Sequence, residues 1–471
     1  MDFRELFYII EKTKNMKNVS FNLGKTDFTF QVPQESDILK MGKAALLENP
    51  SEKIQKALSH PIGTPSVKDL IREKLMANPK AKAVVVISDS TRPVPYKGKQ
   101  GILFPLIEQM MEAGLPASRI LVLVATGIHR AMSDRELRGF LDPRIFESGL
   151  RIINHDSRNK DELVYAGETD FGGKVYLNRF YMQSDIKICT GLVESHFMAG
   201  VSGGRKAICP GIIAEDSTYL LHSGPILASP MARDLVLDEN PVHEEACKVA
   251  RIAGCDMIVN VTLDSQYRLT GVFAGELEKA HLKAVAKLHE YVSIPVRKKY
   301  DLVISHSGFV GVNHYQAAKA AVVCSSIIKD EGYCVLASHH TDTDPVGGPL
   351  YKKMLRLLLK KGAVGFEKLI TDPSWEFVPE QWEAQMWARL FRKIPFENLL
   401  YCSFEIPGPD FSWLPGKDAR TLGPEASSLN ELIERAVSWA MNELRSRGCE
   451  NPEIAVLVDG PYGIPVNSNS L

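Results

Sequence analysis

Four short runs of consecutive apolar, largely β-branched residues punctuate the first part of the chain, at 83–88, 120–124, 186–189 and 257–261. Runs without polar alternation suit strands covered on both faces, so they predict a buried parallel sheet. Between the first two, residues 101–113 set Ile102, Leu103, Leu106, Ile107, Met110 and Met111 at helical spacing, which completes a βαβ unit. Before them, alternation over 19–32 around Asn22, Leu23, Gly24 and Lys25 predicts a hairpin. A second series of strand-like runs, at 301–305, 332–337, 399–402 and 454–458, predicts a second α/β unit. The pattern over 280–299, helical until Pro295 and then basic, separates the two, so the expected domains are 1–295 and 296–471. The Pro- and Gly-rich stretch 407–423 is expected as a surface loop. No repeat of solenoid length and no low-complexity tract interrupts this pattern.

Composition narrows the class. With 471 residues, 45% of them hydrophobic, the chain can bury the cores of two domains. Lys and Arg number 56 against 57 Asp and Glu, so bulk charge argues for neither nucleic acid nor a membrane surface and leaves small-molecule chemistry open. The eight cysteines form no CxxC pair, which speaks against zinc ribbons and a disulfide framework and for reduced, mostly buried thiols. The N-terminus has acidic residues at once and no signal-like apolar run, and no segment approaches the ~20 apolar residues of a membrane span. A cytoplasmic protein is expected.

Polar residues gather where the predicted strands end. Ser88-Asp89-Ser90-Thr91-Arg92-Pro93 follows the first strand and Ala125-Thr126-Gly127-Ile128-His129-Arg130 the second, at the carboxyl ends where open α/β sheets bind ligands. Each has a plain structural reading: Asp89 or Ser90 as a helix cap, Arg92 paired with Asp89, His129 as a satisfied loop histidine. The richest segment is ESHFMAGVSGGRKAICP, which joins His196, the turn Ser202-Gly203-Gly204 and the cations Arg205 and Lys206. Consecutive glycines can converge backbone N–H groups into an anion nest, and a following cation can neutralise a phosphate or offer an amine. A glycine turn with a solvated Arg-Lys pair is the bland alternative.

The ordered set SDSTRP, ATGIHR, GLVESHFMAGVSGGRKAICPGI, the histidine of LLHSGP, and HYQAAK resembles the nickel-pincer lactate racemase family. Spacing agrees as well as identity, with Lys206 ten residues after His196 and His222 sixteen after Lys206. The resemblance implies two α/β domains with mainly parallel sheets and an active site in the cleft between them. It implies an N-terminal cofactor-binding, catalytic domain and a C-terminal domain that closes over the substrate. It also implies a pyridinium-3-thioamide-5-thiocarboxylic acid mononucleotide attached at Lys206, holding nickel with His222 as protein ligand. Ser202, Gly203, Gly204, Arg205 and Trp382 are then cofactor-binding, His129 and His196 the acid–base pair, and Asp89, Arg92, Tyr315, Gln316 and Lys319 substrate-binding. The implied activity is a nickel-dependent 2-hydroxy acid racemase or epimerase, matured by cofactor-synthesis enzymes; a homo-oligomer stays open.

Chemistry supports that assignment on its own terms. The Cα proton of a 2-hydroxy acid adjoins an ionised carboxylate, so hydride removal to a pyridinium is easier than deprotonation, and inversion wants a base on each face. Arg92 and Lys319 suit the carboxylate, and one imidazole with sulfur and carbon donors suits a square-planar late metal. Other groups carry less: His339-His340 with Asp342 and Asp344 reads as a polar loop and not a metal site, and His243 as a solvated first-turn residue. Ser90 and Met198 depart from the family pattern, where a histidine and a bulkier aromatic are usual, so a larger or more hydroxylated acid than lactate is expected. A sensor without turnover and a nicotinamide-dependent oxidoreductase remain as alternatives. The first would dispense with some of His129, His196, Lys206 and His222, and the second lacks a GxGxxG.

Overall fold

The computed structural model describes residues 15–24, 27–169 and 171–468. The N-terminal segment up to residue 14, read for a signal peptide, and Lys25 of the predicted hairpin turn lie outside the described residues. Strands β1 (Met16–Asn22) and β2 (Asp27–Pro33) form the predicted antiparallel hairpin, with Val19 opposite Phe30. Alternation puts Val19, Phe21, Phe30 and Val32 on one buried face. A two-stranded hairpin alone is marginal in water, and this face is covered by Leu302, Ile304, Tyr333 and Val335 from far along the chain. Strand β3 (Asp37–Leu39) then pairs in parallel with Ile454–Leu457. The described residues up to Gly42 therefore join those from Val292 onward in one compact unit, and Lys43–Tyr291 form the other. The expected single cut at 295 misses this, because the apolar face of the hairpin, and not chain order, decides which core it completes.

The Lys43–Tyr291 unit contains β4 (Ala83–Ser88), β5 (Ile120–Ala125), β6 (Arg151–Asn154), β7 (Leu163–Glu168), β8 (Lys174–Asn178), β9 (Ile186–Leu192), β10 (Ser195–His196), β11 (Gly200–Val201), β12 (Met257–Leu263) and β13 (Leu269–Gly275). Six of these form a sheet in the order β13-β12-β9-β4-β5-β6, parallel except for β13. Helix Leu103–Glu112 links β4 to β5 as the periodicity predicts. Val85 and Ile87 pack with Leu103, Leu106 and Ile107 on one face, while Val84 and Val86 pack with Ile208, Ile212 and Val249 on the other. Burial on both faces is why β4 needs an unbroken apolar run, each such side chain contributing about 1.5–3 kcal/mol. From β4 the chain builds outward through β5 and β6, then returns to place β9 on the other side. The carboxyl ends of β4 and β9 thus flank a topological switch point, where such sheets bind ligands.

The other unit adds β14 (Ser293–Val296), β15 (Tyr300–His306), β16 (Ile328–Ala337), β17 (Leu399–Cys402), β18 (Lys417–Asp418), β19 (Ile454–Leu457) and β20 (Ile464–Asn467). Its six-stranded sheet, β18-β17-β16-β15-β19-β3, is parallel throughout. Helix Leu429–Ser446 is capped by Ser428, whose hydroxyl accepts the Glu431 N–H, and its buried stripe Leu432, Ile433, Ala436, Val437, Ala440 meets sheet and hairpin. Helix Leu277–Val292 ends before Pro295, which sits instead in β14 paired with β20. The stretch 407–423 is more than a surface loop: β18 edges the sheet, Leu414 and Ala419 are buried, and Arg420 grips Asp418 through Nε and Nη2. All eight cysteines are free thiols, six of them buried. No described helix is long and apolar enough to cross a membrane.

Candidate functional site

The loops after β4 and β5 meet through one short contact. Asp89 Oδ2 lies 2.8 Å from His129 Nδ1, and Asp89 Oδ1 accepts the Thr91 N–H at 3.1 Å and hydroxyl at 2.5 Å. Burial works against the Asp89 charge, but the hydrogen bonds from His129 and Thr91 and the charge of His129 outweigh it and hold the carboxyl below its usual range. A carboxylate at Nδ1 fixes the proton there and makes Nε2 the basic nitrogen of a half-exposed ring. Tyr96 supports the turn from beneath, its hydroxyl accepting the Ser88 N–H and bonding Thr190. Arg92 pairs not with Asp89 but with Glu194 across the switch point, Nε to Oε1 at 3.1 Å.

After β9 the chain makes a two-residue ladder, β10 with β11, that brings His196 opposite Gly200. His196 Nδ1 accepts the N–H groups of Met198 and Ala199 at 3.3 and 3.2 Å, and its Nε2 lies 3.0 Å from Lys206 Nζ. Lys206 rides a short 3-10 turn, Gly204–Ala207, and its amine is held down to about 7 by burial first, then by the charges of Arg92 and Arg205. The glycines of the turn are also tied into the fold. Gly204 donates its N–H to Asn260 Oδ1 at 2.7 Å, Ser202 donates its own to the Glu194 carbonyl, and the Ser202 hydroxyl is spent on Leu192. Gly203 and Gly204 have φ of 74° and 51°, and a Cβ would stand 2.6 Å from Val193 and 2.8 Å from the His281 ring. Close packing is what demands glycine here. Arg205 is likewise turned inward: wholly buried, it donates to the Ala199 carbonyl at 2.8 Å and approaches His281, and burial lowers it to about 10.

His222 closes helix Glu215–Leu221, with Nδ1 2.9 Å from the Thr218 carbonyl. Its Nδ1 therefore carries the proton and Nε2 the lone pair; burial, with a smaller push from Lys206, lowers it to about 4, so the ring is neutral near pH 7. His243 is a first-turn residue, but not a solvated one: it packs near-parallel to His281 at 6.5 Å and meets Cys247 Sγ, and burial drives it to about 3. Met198 is buried and Ser90 exposed. Asn260, His281, Glu194 and Tyr96 escaped the sequence reading. Only the polarity of Asn260 inside an apolar strand could have flagged one of them.

In the other unit, Asn313 caps helix His314–Ile327, which carries Tyr315, Gln316 and Lys319. Trp382 donates its indole N–H to the Tyr315 hydroxyl at 2.7 Å, joining two of the residues singled out in the sequence. Glu383, beside Trp382, is buried and pushed up to about 8 by desolvation, against which the Lys319 charge works. His339 contacts Glu405, and His340 is buried between the Gly311 carbonyl and Tyr401.

Residues 23–234 match the family model described as the lactate racemase N-terminal domain. Over 380 residues, 80% of this chain and 86% of the relative, the chain is 31% identical to a protein named lactate racemase from Thermoanaerobacterium thermosaccharolyticum. Over 442 residues, 93% and 96% of the two chains, it is 32% identical to one of the same name from Lactiplantibacillus plantarum. The solved lactate racemase apoprotein of T. thermosaccharolyticum superposes with a TM-score of 0.81 at 27% identity, covering 96% of this chain and 100% of that one. A crystal structure of a Thermotoga maritima protein, 15% identical with a TM-score of 0.56 over 85% and 97% of the chains, shows a likeness of fold alone.

Proposed function

The chain belongs to the lactate racemase family, and on that premise we propose that it is an isomerase that inverts C2 of a 2-hydroxy acid. The proposed route is hydride transfer, with a nickel-pincer pyridinium mononucleotide tethered at Lys206. The observation that carries the reading is the pair His129 and His196 on the loops after β5 and β9. Each has Nδ1 engaged, by Asp89 or by backbone N–H groups, so that each works through Nε2.

The residues present fit the group. An amine held to about 7 is substantially uncharged at neutral pH and so able to carry an acyl link. A neutral imidazole whose Nδ1–H binds a carbonyl is the form that ligates a metal. Among the described residues no set of three or more His, Cys, Asp or Glu is gathered for a metal, so the proposal gives the protein a single donor, His222. When bound, the group supplies an acceptor for the C2 hydride and returns it. His129 takes the hydroxyl proton at Nε2 while Asp89 stabilises the resulting imidazolium. Loss of hydride leaves a planar 2-keto acid, and His196, whose Nδ1 accepts two N–H groups and whose Nε2 therefore carries the proton, donates that proton to the oxygen as the hydride comes back on the opposite face. Arg92 binds the carboxylate. The resemblance supplies the remaining assignments: Tyr315, Gln316 and Lys319 for substrate, Trp382 for cofactor, maturation by cofactor-synthesis enzymes, and a cytoplasmic setting. Ser90 and Met198 favour a substrate larger or more hydroxylated than lactate.

The test is turnover of C2-deuterated 2-hydroxy acids in water and of unlabelled ones in heavy water, using protein made with the maturation enzymes. Inversion with the label kept on carbon is expected. Rapid entry of solvent deuterium at C2 would mean an enolate route and sink the hydride reading.

A further inference from the structure

Arg92 and Glu194 leave β4 and β9 on the two sides of the switch point and meet at 3.1 Å, Nε to Oε1. Both stand on pinned backbone. The Glu194 N–H donates to Ser202 Oγ at 3.0 Å, its carbonyl accepts the Ser202 N–H at 2.9 Å, and the Arg92 N–H donates to the Asp89 carbonyl at 3.2 Å. The 3.1 Å approach of the pair is at the Nε side of the guanidinium. Apart from a 3.4 Å contact of Nη1 with the Thr91 carbonyl, Nη1 and Nη2 make no hydrogen bond among the described residues. A guanidinium held at one edge presents the other to a planar two-oxygen anion.

We propose that Glu194 is a positioning residue: it holds Arg92 by the Nε edge, keeps the Nη edge for the carboxylate of the 2-hydroxy acid, and balances the positive charge around Lys206. The carboxylate half rests on the racemase reading, whereas the charge half does not. Around the Lys206 amine, Arg92 and Arg205 oppose its protonation while Cys209 and Glu194 favour it, with His196 Nε2 in contact and His222 within electrostatic reach. Glu194 pairs with Arg92 at 3.1 Å, and Arg92 is the leading charge that opposes protonation of the amine, so removing Glu194 leaves that cation unbalanced and pushes the amine further down.

Two measurements on wild type, Glu194→Gln and Glu194→Ala separate the halves, with thermal unfolding as the check on folding. In chain made without maturation enzymes, acetylation of Lys206 by acetic anhydride is followed by peptide mass spectrometry from about pH 5 to about 10. The wild-type midpoint is expected near 7, and that of Glu194→Gln roughly half a pH unit lower. In matured enzyme, KM for the acid that wild type turns over should rise ~10-fold in both variants with kcat within about threefold, and Glu194→Asp should recover part of the loss. An unchanged midpoint in folded Glu194→Gln overturns the charge half. An unchanged KM overturns the carboxylate half, and so does a lowered one, since Glu194 would then compete with substrate for Arg92. If no acid is turned over, the racemase reading and the carboxylate half that rests on it fail together, while the labelling still decides the charge half.

Discussion

Asp89 and the Thr218 carbonyl do the same thing to different rings: each takes Nδ1 of a histidine and so makes Nε2 the working nitrogen. For His129 the partner is charged, so Asp89→Asn should leave the fold intact and lower kcat by ~10²–10⁴, measured by steady-state kinetics with circular dichroism as the control. A drop confined to KM would count against the acid–base role. For His222 the partner is neutral, and His222→Ala should strip nickel from matured protein while the Lys206 adduct remains, read by metal analysis beside intact mass. Asp89, His129, His196, Lys206 and His222 were all legible as letters in motifs. The groups that anchor the turn carrying Lys206 were not, because Asn260 lies 56 residues from Gly204 and His281 lies 79 from Ser202, distances only the folded sheet closes.

At the scale of elements, the Ser202–Lys206 turn shows that a glycine motif can answer to packing as well as to a ligand. Its glycines suggested a phosphate nest, yet Gly204 gives its N–H to Asn260 and stands against the His281 ring. Gly204→Ala should therefore cost more than the strain of φ 51° alone, by about 1–3 kcal/mol in denaturant unfolding. Gly98, with φ 72° and open space around its would-be Cβ, is the control, and its substitution by Ala should cost only the backbone strain. Equal losses at the two sites would remove the packing argument. The stretch 407–423 carries the same lesson, since Pro and Gly announce turns but not whether the turns are wrapped around a buried Leu414.

For the whole molecule, the N-terminal hairpin matters most to what can be cut. Val19, Phe21, Phe30 and Val32 complete the core of the unit that begins again at Val292, and burying them contributes at most about 6–12 kcal/mol, comparable to the ~5–15 kcal/mol that keeps a domain folded. A fragment 296–471 should accordingly fail to fold, seen as a missing cooperative transition, while the same fragment covalently joined to residues 15–42 should show one. Acid stability is also a property of the whole. Burial, with the nearby Arg205 charge, holds His281 down to about 3, and burial holds His306 to about 4, whereas an unfolded histidine titrates near ~6.5. Between those values the unfolded chain binds more protons, so stability is full above about pH 6.5 and falls as pH drops towards 4. Calorimetry should show Tm declining across that window; a flat Tm would mean these imidazoles are not buried neutral. The sequence alone determined the two mainly parallel sheets, because strands buried on both faces must be written as unbroken apolar runs, and it marked the side chains proposed to react, because their motifs are local. Only the tertiary structure decided which core owns the hairpin, which carboxylate faces Arg92, and why the glycines are glycines. Those outcomes depend on surfaces that meet after strands far apart in the chain have taken their places.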